Sequence, residues 1–206
     1  MFFLFRVWGR LGAVIQLKSE PRKQARRNEI RNEKNMRYFA YGSNMSVARL
    51  RERAPSAEVV GMARLRHHRL CFHKVGTDGS GKCNIWHTGN GRDVVFGVIY
   101  EIAEADMQRL NAAENLGTGY ELQTLPLELD DGGITQAQAY VAIPINDALA
   151  PLDWYHALVV AGAREHGMPE AYVRRIEAVR VIADRDRERA HVHYRLVDQS
   201  LSRSVA

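Results

Sequence analysis

The run Tyr38-Phe39-Ala40-Tyr41-Gly42-Ser43-Asn44-Met45 is the strongest constraint on what this chain can fold into. A short apolar stretch stops abruptly at Gly-Ser-Asn, and a helix-like segment starts at once. Arg37–Gly42 reads as a strand. Ser46–Ala54 reads as a helix, capped by Asn44 or Ser46 and stopped before Pro55. A strand-to-helix turn of this kind exposes several backbone N–H groups, which suit a negatively charged group. The same residues also suit a plain loop with a helix cap.

The charge is unevenly spread. Residues 1–35 hold nine Lys/Arg against three Glu, a net of +6, which leaves the remaining 171 residues at −1 of the total +5. The basic character therefore belongs to the leader, and the body gives no electrostatic case for a nucleic-acid partner. Residues 18–35 contain almost nothing apolar, so they cannot offset their ordering entropy; they are read as disordered or as a solvated helix. Met36 opens the globular pattern and would itself serve as a start codon, which makes residues 1–35 either a basic leader or a non-native start. No run of 18 uncharged apolar residues exists, so neither a membrane-spanning helix nor a membrane partner is expected. Cys71 and Cys83 are too few for a disulfide framework and lack zinc-site spacing; they read as free thiols of a reducing cytoplasm.

The rest of residues 36–196 reads as one domain. Ala57–Lys74 gives one or two strands, Val75–Gly81 a glycine-rich turn, and Lys82–Trp86 a short strand. Asp93–Ile102 is apolar enough to be buried on both faces. A helix follows over Ala103–Asn115, then strands over Tyr120–Leu129 and Thr135–Ile143, joined by an Asp130-Asp131-Gly132-Gly133 turn. Helices are expected at Leu152–His166 and Glu170–Ala178, and a frayed tail over residues 197–206. Strands first and helices last mark an α+β domain.

Glu114 lies at the end of its helix, on the side of Met107 and Leu110. A carboxylate on an apolar face needs either a partner or a task, and the macrodipole at a helix C-terminus gives it nothing. Tyr120 and Tyr140 sit on successive strands, where packing with a solvated hydroxyl is the ordinary role. His67, His68 and His73 lie among Arg64, Arg66, Arg69 and Lys74, whose charge repels a metal. His191 and His193 alternate in a strand-like tail segment with no third ligand, so no metal is expected. Serine-hydrolase, P-loop and dinucleotide motifs are absent from the sequence.

Taken in order, these pieces resemble the γ-glutamylcyclotransferase family. The resemblance rests on Tyr38–Met45, Ala63-Arg64-Leu65, Asp93–Tyr100, Leu110–Glu114 followed by Gly119-Tyr120, Ala139-Tyr140, and Gly162–Tyr172, spanning roughly residues 37–180. It implies an α+β fold made of a small mixed β-barrel with helices packed around it; the cysteines suggest a cytoplasmic protein, and both monomer and homodimer stay open. It implies a cofactor-free reaction on a small γ-glutamyl substrate: the free α-amine attacks its own side-chain carbonyl, giving 5-oxoproline and a released amine or amino acid. Glu114 is then the general acid/base, and Tyr38, Phe39, Ala40, Tyr41, Gly42, Ser43, Tyr120 and Tyr140 are the substrate-binding residues. An α-amine near ~8 and a carboxyl near ~4.3 leave proton transfer uphill by about 4 units, roughly 5 kcal/mol; an apolar wall around the acid narrows that gap. One departure stands out. Asn111-Ala112-Ala113 precedes Glu114 where the family commonly has carboxylates. Two rival readings remain: removal of a γ-glutamyl cap from a dedicated amine, and a non-catalytic barrel that binds small ligands or proteins.

Overall fold

The computed structural model describes residues 35–203. The leader lies outside them, save that Asn35 already pairs with Ala103. Five strands close a small mixed barrel in the order β1-β5-β2-β6-β7. They are β1 (Asn35–Ala40), β2 (Glu58–Arg66), β5 (Val94–Ala103), β6 (Tyr120–Leu129) and β7 (Ile134–Ala142). Every pairing is antiparallel except the closing one, where Tyr38 of β1 meets Gln138 of β7 in parallel. The Asp130–Gly133 turn joins β6 to β7 with Glu128 opposite Ile134, as the alternating pattern and paired glycines require.

The segment Ala57–Lys74 resolves into two strands because His67 takes a left-handed conformation, φ 61°. Beyond it β3 (His68–Val75) leaves the barrel and pairs with β4 (Gly81–His87) as a separate two-stranded sheet. A register shift between Cys71 and Lys74 leaves three consecutive residues, Phe72, His73 and Lys74, buried. β5 was expected to be covered on both faces. It is so at its centre, Val98–Tyr100, while its ends alternate and the half-buried Phe96 meets Tyr172 edge-on.

Helices α1 (Val47–Arg53), α2 (Glu104–Ala113), α3 (Asp153–Glu165) and α4 (Glu170–Glu177) fall where the sequence pattern puts them. A fifth, α5 (Arg187–Arg203), was not anticipated. The tail expected to fray from Val197 is helical to Arg203, with Leu196, Val197 and Ser200 buried, and His191 and His193 are helical as well. Tertiary contacts hold this charged helix against α3 and α1. At its start the buried Asp184 carboxylate accepts Trp154 Nε1 at 2.7 Å and Arg189 Nε and Nη2 at 2.7 and 2.6 Å. Further along, Ser200 Oγ lies 2.6 Å from Ser46 Oγ of the α1 cap.

The bonds from Arg189 hold the Asp184 carboxyl well below the usual carboxylate range. Its native form is therefore favoured above the unfolded value near ~4 and loses that advantage only in stronger acid. Asp184→Asn should lower the unfolding free energy at pH 7 by about 2–4 kcal/mol. Denaturant titrations of both proteins should show that deficit shrinking below about pH 4.

Candidate active site

β1 ends at Ala40, and the chain reverses through a single 3-10 turn, Ser43–Met45. Met45 N–H donates to Gly42 C=O at 2.9 Å and Ser46 N–H to Ser43 C=O at 3.3 Å, so the amides of Gly42, Ser43 and Asn44 take no part in closing the turn. Ser46, not Asn44, caps α1, its Oγ accepting Arg49 N–H at 3.2 Å. The turn is gripped from behind. Met45 C=O accepts Tyr100 Oη at 2.7 Å and His166 Nε2 at 2.9 Å. α3 carries Gly162 where the turn crosses it; a Cβ there would stand 2.7 Å from both Met45 Cβ and the Ser46 nitrogen.

Asn44 is thereby freed to face a cavity of about 210 Å³, whose lining includes Tyr38, Tyr41, Gly42, Ser43, Glu114, Tyr120 and Tyr140. Glu114 caps the C-terminal end of α2 and is partly exposed to it, its side chain 16% accessible. Its Oε1 accepts Arg53 Nη1 at 2.7 Å and Asn44 Nδ2 at 3.0 Å. Asn44 Oδ1 also accepts Arg53 Nη1 at 3.2 Å, and Asn44 Nδ2 donates to Tyr38 Oη at 3.1 Å. Both bonds to the carboxylate fall on Oε1, and among the described residues Oε2 receives none. The apolar wall expected around Glu114 is not there. Met107 and Leu110 enter the core, but the helix stops one residue before Glu114 and the chain turns at Asn115, φ 51°. The acid's partner is a guanidinium.

The tyrosines divide by what their hydroxyls already do. Tyr140 Oη donates to Asn111 Oδ1 at 2.6 Å, Tyr120 Oη to Cys83 C=O at 2.9 Å, and Tyr41 Oη to Tyr140 C=O. Tyr38 Oη only accepts, so among the described residues its O–H has no acceptor. Burial raises all four phenols above their ordinary range, so they stay protonated. Phe39 and Ala40 were expected in the site and are not. The pleat sends Phe39 to the opposite side of β1 from Tyr38, and Ala40 is fully buried in the core. Cys83 underlies the turn: a Cβ on Gly42 would stand 2.9 Å from Cys83 Cβ. Its thiol is pushed up to about 12 by burial, which makes it an inert packing group.

Sequence reading missed the cations. Arg49 and Arg53, one turn apart on α1, share a side and both reach the cavity. Lys74 and Lys82 face each other across β3 and β4 and enter from the far side. Lys74 Nζ sits 4.8 Å over the Tyr120 ring; Lys82 Nζ sits 4.7 Å over Tyr155 and donates to Asp78 Oδ2 at 2.8 Å. Burial lowers both ammonium pKa values, against the pull of Glu114 on Lys74 and of Asp78 on Lys82. Asn44 was the one residue of this set with a visible signal, since it lies inside the Gly-Ser-Asn turn.

Residues 94–176, from β5 through α4, match the AIG2-like family. Human γ-glutamylcyclotransferase is 27% identical over 155 residues, 72% of this chain and 80% of that protein. The mouse γ-glutamylcyclotransferase is 28% identical over 149 residues, 69% of this chain and 77% of its own. A solved structure of a gamma-glutamyl cyclotransferase aligns with a TM-score of 0.70 at 22% identity, over 78% of this chain and 99% of that one. The chain is similar in sequence and in fold to γ-glutamylcyclotransferases. The same fold recurs in YkqA from Bacillus subtilis, with a TM-score of 0.62 at 20% identity over 76% of this chain and 60% of that one. In this γ-glutamylcyclotransferase-like fold the barrel carries the tyrosines, and the turn and α1 carry the groups that grip Glu114.

The close approach of Gly42 to β4 has a measurable consequence. Gly42→Ala forces the turn off Cys83 and should destabilise the protein by about 1–3 kcal/mol. Chemical denaturation monitored by tryptophan fluorescence reads this directly.

Proposed function

We propose that this chain is a cyclotransferase. It converts a γ-glutamyl amino acid or γ-glutamyl amine to 5-oxoproline and releases the amino acid or amine, with Glu114 as general acid/base. One observation carries the reading: a fixed carboxylate whose Oε2 has no partner among the described residues, that of Glu114, lines the same cavity as the Gly42–Asn44 turn.

The chemistry follows from that arrangement. The substrate's α-nitrogen attacks its own side-chain carbonyl carbon, the new C–N bond closes a five-membered ring, and the old C–N bond to the leaving group breaks. Because both reacting groups belong to one molecule, the protein mainly has to hold that molecule folded. Glu114 Oε2 takes the proton from the nitrogen and returns it to the leaving nitrogen. The proton gap is narrowed from the substrate's side. Four cations, Arg49, Arg53, Lys74 and Lys82, line the cavity against two carboxylates, Asp78 and Glu114. Like charges disfavour an ammonium among them and so favour the attacking free amine. Arg53 and Asn44 orient the acid, while the turn amides and the free O–H of Tyr38 serve the substrate carboxylate or the developing oxyanion. Tyr120 takes a packing role, because its hydroxyl is engaged by Cys83.

Incubation with a panel of γ-glutamyl amino acids and γ-glutamyl amines should yield 5-oxoproline, measured by chromatography. Glu114→Gln should lower kcat by roughly 10²–10⁴-fold while the unfolding transition stays in place. No turnover across the panel, or full rate in Glu114→Gln, rejects the reading. A paired comparison separates the tyrosines. Tyr38→Phe should cost about tenfold or more in kcat/KM. Tyr120→Phe, which strands the Cys83 carbonyl, should instead cost about 1–2 kcal/mol of stability with little kinetic effect.

A further inference from the structure

Arg49 is a buried cation with an unpartnered nitrogen among the described residues. Its residue is 7% exposed, it lines the cavity, and its Nε has no hydrogen-bond partner among the described residues. No carboxylate there pairs with it. Its neighbours are the Trp154 ring, 5.9 Å from the guanidinium carbon, and His193 Nδ1, 3.1 Å from Nη1. A buried guanidinium without a counter-charge is costly, and an anion entering the cavity removes that cost. Burial, with Arg53 adding repulsion, has already lowered its pKa to about 10.

His193 makes this arrangement deliberate. A guanidinium can only donate, so the contact at 3.1 Å requires Nδ1 to be the bare nitrogen of a neutral ring. The surroundings enforce that form. The imidazole is half-buried and stacked on Trp154 at 3.9 Å, and cations face it from three elements: Arg49 and Arg53 from α1, Lys82 from β4 and Arg189 from its own helix. Burial first, and then these cations, push it down to about 4. Trp154 is held in turn by Asp184, so the stack rests on the same anchor that starts α5. With Nη1 held by His193 and Nε sealed from solvent, Nη2, which takes no hydrogen bond among the described residues, is the nitrogen left for the cavity.

We propose that Arg49 binds the carboxylate of the glutamyl moiety and that His193, reaching in from the C-terminal helix, is its positioning residue. The assignment of the carboxylate to a glutamyl group rests on the cyclotransferase reading; the anion site itself does not. The test uses the full chain with γ-glutamyl-alanine as substrate and glutarate as an unreactive dicarboxylate probe followed by calorimetry. His193→Phe keeps the stack on Trp154 and removes the acceptor. It should raise KM about tenfold with kcat within about twofold, and weaken glutarate by a similar factor. His193→Asn restores an acceptor near the Nδ1 position and should stay within about threefold of the parent. Arg49→Met should raise KM further and abolish glutarate binding; if it does not fold, His193→Phe carries the test alone. Unchanged KM and glutarate affinity in His193→Phe overturn the proposal, as does His193→Asn behaving like His193→Phe, which would mark a packing role. Loss of glutarate binding in a protein that turns over no γ-glutamyl compound would instead support the anion site and reject the cyclotransferase reading.

Discussion

The site is fixed by the way a three-residue turn is held at one carbonyl. Met45 C=O takes two donors from different elements, Tyr100 on the barrel and His166 just past α3, while Gly162 lets the turn lie against the α3 backbone. Two hydrogen bonds to one buried oxygen leave the turn little freedom to rotate. Everything downstream inherits that rigidity. The start of α1 follows directly from Met45, so the direction in which Arg49 and Arg53 project is set by the same grip. Asn44, one residue before Met45, has to point away from it and into the cavity. A looser turn would still fold, but its amides and Asn44 would no longer share one geometry with Glu114.

Electrostatics then divides the labour between the two oxygens of Glu114. Oε1 is tied to Arg53 and Asn44, and Oε2 is left open. A carboxylate held at one oxygen keeps its other oxygen in a defined position at low entropic cost, which a base in an apolar pocket lacks. The apolar-wall picture adjusts the acid; the structure instead lines the cavity with positive charge, which in the proposed reaction acts on the substrate amine. Both routes shrink the same proton gap. The second also gives the cavity affinity for an anionic substrate, so one set of side chains serves binding and activation together.

How much of this was legible in the sequence varies with the range of the interaction. β6 was read residue for residue, Tyr120–Leu129, because strict alternation and a double-glycine turn are local signals. The turn at Gly42 was read from its own eight residues, and Glu114 from its misfit on a helix face. α5 was not, because its short buried stripe is swamped by charge and its hold on the domain comes from Trp154, Arg189 and Ser46, none of which announces a partner. The cations were missed for a related reason. Arg49, Arg53, Lys74 and Lys82 each look like ordinary surface charges along their own element, and only the bulge before Lys74 and the packing of the β3–β4 sheet bring them to one place. Phe39 and Ala40 show the reverse error: a motif read as a block contains both site and core positions, and here the pleat turns Phe39 away from Tyr38 while Ala40, on the Tyr38 side, is closed off within the core.

Asn111 draws the local and the long-range parts together. Neutral Asn stands three residues before Glu114, and its Oδ1 takes the Tyr140 hydroxyl at 2.6 Å. An aspartate in the same place would accept that bond more strongly and would bring a second negative charge to Tyr140, whose phenol pKa is already raised by burial and, after it, by Glu114. Asparagine keeps the tether and omits the charge. With its proton directed at Asn111, Tyr140 offers the cavity lone pairs alone, which suit an incoming N–H and not a carboxylate. Tyr38 sits 5.5 Å away, ring to ring, and offers the opposite, an O–H without an acceptor. The two phenols therefore present opposite hydrogen-bond polarity to the cavity. That polarity is set by an amide where a carboxylate would have reduced the contrast.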